Sequence, residues 1–124
     1  MTIIEAINKL DALKFNTYSQ NDKVAWLSQL DLAIKRTVLD NHEGNPAPNF
    51  TGYTEDTPLT TVLLVPAPFD DIYLRWMEAQ IDYHNGETDH YNNSISLYNA
   101  MFEAYGNYYI KHHKPLSGGM RFIF

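Results

Sequence analysis

The chain has 124 residues, of which 44% are hydrophobic, 14% aromatic and 19% charged, with a formal charge of −6. That length suffices to bury one core unaided and is short for two domains, so a single domain is expected. The lack of cysteine excludes a disulfide framework, a Cys-based zinc site and a thiol nucleophile, while nine basic against fifteen acidic residues argue against nucleic acid or an anionic membrane as the main partner.

The opening MTIIEAINKLD lacks the basic start and sustained apolar run of a secretory leader. No stretch approaches the ~20 apolar residues of a bilayer span, so a soluble protein made in a cytoplasm is expected. Thr2 and Glu5 form a capping box, and Ile3, Ala6, Ile7, Leu10 and Leu13 give the first helix one apolar face. Ser19 and Asp22 repeat the box before a second helix of roughly twenty residues. Its stripe is Leu27, Leu30, Ile34 and Val38, widened by Trp26 and Ala33, and Gly44 is its terminator beyond Asn41 and His42.

From Glu43 to Thr61 the chain is rich in Pro, Gly, Asn and Thr and reads as a long loop, in which Phe50 and Tyr53 either pin it down or are presented to a partner. Thr61 to Val65, TVLLV, reads as a short extended segment packed on the helices, with strand addition to a neighbour as the alternative. Pro68 suits the first turn of a third helix, which carries Phe69, Ile72, Trp76, Ala79 and Tyr83 on one face and Tyr73, Met77 and Ile81 beside it. Asn85 and Gly86 stop that helix. The fourth, of ~25 residues and almost 40 Å, then packs antiparallel on the third.

Two seams run along the fourth helix: Tyr91, Ile95, Tyr98, Phe102, Tyr105 and Tyr109, and beside them Leu97, Met101, Ala104 and Tyr108. One is expected to close the domain's own core and the other to meet a neighbouring subunit. Gly106 marks either a weak point of this helix or a close backbone approach. The fold class expected is all-α: a small bundle of about four helices built around the long C-terminal hairpin, with a helical domain at 1–113, a loop at 43–66 and a tail at 114–124.

No catalytic motif is present, so no enzyme, cofactor or metal is expected. Asp82, His84, Glu87, Asp89 and His90 could hold a divalent cation, but a solvated helix connection explains them better, since no ligand spacing is matched. Glu78 and Glu103 would make an acid pair only if they faced one another, and His112 and His113 read as helix-end caps.

Several strings carry a resemblance. The Y-S-x-x-D-K-x-x-W-L-x-x-L-D block at Tyr18 to Asp31, F-x-G-Y at Phe50 to Tyr53, the LLVP-x-P-F-D run at Leu63 to Asp70, Y-L-x-x-x-E-A-Q-I-D-Y-x-N-G-E at Tyr73 to Glu87 and Y-N-N-S at Tyr91 to Ser94 resemble the head–tail connector (adaptor) proteins of tailed bacteriophages and prophages. The resemblance covers Thr2 to His113. It implies a non-enzymatic virion protein at the head–tail interface, made in the bacterial host. Such proteins form homo-oligomeric rings, commonly of about twelve copies, on the portal protein, with a tail or stopper protein as further partner. DNA passes through the ring without specific binding, and no membrane is involved.

On that reading Tyr73, Trp76, Tyr98, Phe102 and Tyr105 serve helix packing within and between subunits, while Phe50, Tyr53 and the tail residues Arg121, Phe122 and Phe124 contact neighbours. The alternative is a small intracellular regulatory module that receives a peptide or helix in a groove between its helices.

Overall fold

A computed structural model describes residues 1–116. The described chain is all-α: α1 (Ile3–Leu13), α2 (Gln20–Thr37), α3 (Ile72–His84) and α4 (Thr88–His112), with a single 3-10 turn at Leu39–Asn41 after α2. Both capping boxes form. Thr2 Oγ1 accepts from the Glu5 N–H while Glu5 Oε1 accepts from the Thr2 N–H, and Ser19 and Asp22 repeat the exchange. Each pair satisfies two backbone donors that a helix start leaves without an intrahelical partner.

α3 is the central element. It packs on α1 and α2 on one side and carries α4 on the other. Ile3 and Leu10 of α1, Leu27, Leu30 and Ile34 of α2, and Ile72, Met77 and Ile81 of α3 are fully buried and make the core between them. At roughly 25 cal/mol per Å² of apolar surface removed from water, this layer is the main source of stability, whereas α4 draws its own share chiefly from α3.

The TVLLV run is extended and returns to the start of α1. Ile3 and Ile4 donate their backbone N–H groups to the Thr61 and Leu59 carbonyls, both at 3.0 Å, and Leu63 donates to Met1 at 2.9 Å. Leu63 and Val65 point inward and Val62 outward, the alternation of extended backbone. The Leu64 N–H reaches Asp31 and the Val65 N–H reaches Tyr73 Oη. With the donors of Leu63, Leu64 and Val65 all spent inside the chain, strand addition through them is excluded.

The third helix starts later than expected. Pro68 lies in a run of turns, across a cis Ala67–Pro68 bond, and α3 begins only at Ile72. Tyr83, assigned to a buried face, is exposed in the last turn of α3, although Ile72 and Ala79 of that face are buried alongside Tyr73, Met77 and Ile81. Gly106 shows no close approach, since a Cβ there would meet nothing within 4 Å.

The body does not end at His113. The Glu43 N–H donates to the Lys114 carbonyl at 2.8 Å and the Leu116 N–H to the Asn41 carbonyl at 3.1 Å, around a bridge between His42 and Pro115. Lys114 to Leu116 therefore belong with the helical body, tied to the segment that follows α2.

Candidate interaction surface

Asp31 organises the interior. It stands within the apolar register of α2, four residues after Leu27 and three before Ile34, and is fully buried. Its Oδ2 accepts from Tyr53 Oη at 2.5 Å and from the Leu64 N–H at 3.1 Å, and its Oδ1 accepts from Tyr73 Oη at 2.6 Å. Tyr73 Oη in turn accepts from the Val65 N–H at 2.7 Å. One carboxyl group thus joins α2, the long loop, the extended run and α3. Burial holds its pKa above the ordinary carboxyl range, opposed by the two phenols and the Leu64 N–H. Burial likewise raises the Tyr53 and Tyr73 phenols, with Asp31 beside them adding to the effect.

This network decides the role of the loop aromatics. Tyr53 is buried on Asp31, and its backbone N–H donates to Ser28 Oγ at 2.9 Å. That approach requires Gly52: its φ is +106°, and a Cβ would stand 2.7 Å from Ser28 Oγ. Phe50 is half-buried with its ring centroid 5.0 Å from that of Tyr53. The loop is pinned, not presented.

The two seams of α4 part company. The first turns inward: Tyr98 packs on Trp76 with centroids 4.9 Å apart, Tyr105 on Phe69 at 5.6 Å and Tyr109 on His42 at 5.5 Å. Trp76 also donates its Nε1–H to the Trp26 carbonyl at 2.8 Å, tying α3 to α2. Burial lifts the Tyr98 and Tyr105 hydroxyls to about 12. Tyr53, Tyr73, Tyr98 and Tyr105 are therefore buried within their own chain, the intrachain packing expected of the last three and, for Tyr53, the pinning role of the two expected for the loop. Trp76 and Phe102 are half-buried, and Arg121, Phe122 and Phe124 lie outside the described residues.

The second seam lies at the edge of the packed surface. Leu97 is 43% exposed and Ala104 exposed, Tyr108 is 41% exposed with its ring centroid 4.8 Å from that of Phe69, and Met101 is half-buried against the core; Ile110, 56% exposed, lies round the helix from them. From Tyr91 to Ile110 the helix carries one charged residue, Glu103. A helix face turned to water ordinarily carries charge, so a bare one marks a surface suited to protein contact. Beside it, a groove of about 190 Å³ runs between the end of α2 and the C-terminal half of α4, lined by Val38, His42, Phe102, Gly106 and Ile110 with Glu103.

The polar residues at the α3–α4 connection separate. Asp82 is buried, 2.8 Å from Lys14 Nζ, and accepts from Ser94 Oγ at 2.7 Å, so α1, α3 and α4 meet on this carboxylate. Lys14 has its pKa raised by that hydrogen bond against some desolvation. His84 stacks on Trp26 instead of joining Asp82. No cluster of three metal-ligating side chains occurs among the described residues. Glu78 pairs with Arg75 at 3.0 Å, while Glu103 lies at the groove, so they form no acid pair. His112 and His113 each place Nδ1 within reach of the carbonyl four residues back, at 2.8 and 3.1 Å.

Sequence reasoning missed one prominent feature. Phe15, in the connection between α1 and α2, is 89% exposed, and Leu13 beside it is 64% exposed. The signal available was the position of Phe15 two residues past the end of an amphipathic helix, beyond its apolar face. No helix among the described residues is long and apolar enough to cross a membrane. The chain matches no protein-family model, no curated protein and no solved structure.

Proposed function

We propose that the chain is a non-enzymatic structural protein of a tailed-phage virion, a head–tail connector that assembles as a homo-oligomeric ring on the portal and joins capsid to tail. The observation that carries the reading is the outer face of α4, where Leu97, Ala104 and Tyr108 are open to solvent on a stretch of helix that carries one charged residue between Tyr91 and Ile110. Such a face is covered most simply by another copy of the chain, and a closed ring repeats one contact for every copy. The strings from Tyr18 to Ser94 supply the connector assignment, and the net charge of −6 suits a passage through which DNA moves without adhering.

Electron microscopy of the protein mixed with its cognate portal tests this. Rings on the portal are expected, and absence of both rings and portal binding overturns the reading. The double variant Leu97→Ser, Ala104→Arg sharpens it: both positions are exposed, so stability should stay within about 0.5 kcal/mol of the parent, as for other surface changes, while ring formation is lost. The groove favours a second reading, a small regulatory module that receives a peptide. Binding of one partner at low stoichiometry, without rings, would establish that instead.

A further inference from the structure

Two features that the interior leaves unused lie at opposite ends of the same helix. Phe15 and Leu13 precede the start of α2, and the groove lined by Val38, His42, Phe102, Gly106 and Ile110 lies beside its end. Eighteen helical residues separate them, about 27 Å at 1.5 Å per residue, so a chain cannot bring its own Phe15 to its own groove. We propose that Phe15 of one copy seats in the groove of the next, making a head-to-tail contact between identical chains. The inference rests on the ring reading and adds a knob and a groove to the outer face of α4 among the surfaces that would close it.

Shape and charge both favour this occupant. A cavity of about 190 Å³ takes one aromatic ring, whereas a helix with its side chains is 10–12 Å across. Anchoring one aromatic side chain in such a pocket is the usual core of a contact between proteins. Gly106 leaves the floor open, with nothing within 4 Å of where its Cβ would be. On the knob side Lys9 stands on α1 one turn before Leu13, and on the groove side Glu103 stands at the rim. Neither has an ion-pair partner among the described residues, and the head-to-tail arrangement brings opposite charges together. Because each copy offers one knob and one groove, the contact is heterologous and propagates into a ring, or into a filament if the rotation does not close.

The native chain has no cysteine, so single cysteines report the contact cleanly. Thr17→Cys marks the knob side with Phe15 intact, and Asn107→Cys marks the groove rim; both positions are exposed. Mixing the two full-length proteins with a short bis-maleimide should give the mixed Thr17→Cys/Asn107→Cys dimer as the main product. Adding Phe15→Ser to the first protein, or the plug Gly106→Leu to the second, should reduce that product at least tenfold while both variants keep the parent helical circular dichroism. No mixed product, a product that survives Phe15→Ser, or like-with-like dimers as the main species would overturn the contact. So would a mixed product that forms only after residues 117–124 are removed, because the groove would then belong to the chain's own C-terminal segment. Microscopy on the portal separates the two proposals. Rings that survive Phe15→Ser leave the connector reading standing without this contact, whereas cross-linking without rings leaves the contact standing without the connector.

Discussion

The layer between α2 and α3 and the layer beneath α4 are both aromatic, yet they are held in different ways. In the first, Tyr53 and Tyr73 aim their hydroxyls at one buried carboxyl group, and every donor there has an acceptor. In the second, Tyr98, Tyr105 and Tyr109 pack by their rings, and the buried hydroxyl of Tyr109 has no hydrogen-bond partner. Directed bonds fix a loop and an extended run in one place. Ring-on-ring contacts tolerate sliding, and suit a layer that meets solvent on its far side.

Raising the pH should act on both layers at once and have the largest effect. The phenols of Tyr53, Tyr73, Tyr98, Tyr105 and Tyr109 all have pKa values raised by burial, those of Tyr98 and Tyr105 to about 12. The unfolded chain ionises near 10, so it releases protons that the folded chain retains. The resulting stability is fully present below pH 10 and is lost as pH rises from there through about 12. Chemical denaturation across that interval should show a steep decline; a flat profile would mean that these hydroxyls are wet.

Breaking the directed layer alone comes next. Asp31→Ala leaves two phenols and the Leu64 N–H without an acceptor, and should cost about 3 kcal/mol or more in urea unfolding. The smallest effects separate the layers most sharply. Tyr73→Phe removes one bond to Asp31 and leaves the Val65 N–H unpaired, for a loss of about 1–3 kcal/mol, whereas Tyr109→Phe removes a hydroxyl that bonds to nothing and should be neutral or slightly stabilising. Equal losses in the two variants would erase the distinction.

Much of the fold was legible because its signals are local. The capping boxes at Thr2 and Ser19 place two helix starts, Gly86 marks the reversal after α3 with positive φ, and the spacing along α4 shows its length, whereas α2 stops at Thr37 and not at the expected terminator Gly44. The roles of individual aromatics were not legible. Tyr53 and Tyr73 are 22 and 42 residues from the carboxylate that holds them, and periodicity reports which residues share a face without saying what faces them. An acid within the apolar stripe of α2 was the one clue, because a buried carboxylate must find donors somewhere. For the same reason the spacing left open which seam of α4 faces the core.

The position of α4 has a further consequence. It is tied at both ends, by the turn after α3 and by the pairing of Lys114 to Leu116 with Asn41 to Glu43, while along its length it leans chiefly on α3. Such an element has an opening free energy of its own, below that of the whole. Its amide protons should exchange with solvent ahead of those of α2 and α3, and docking of a second protein on its outer face would slow that exchange without any change in the fold.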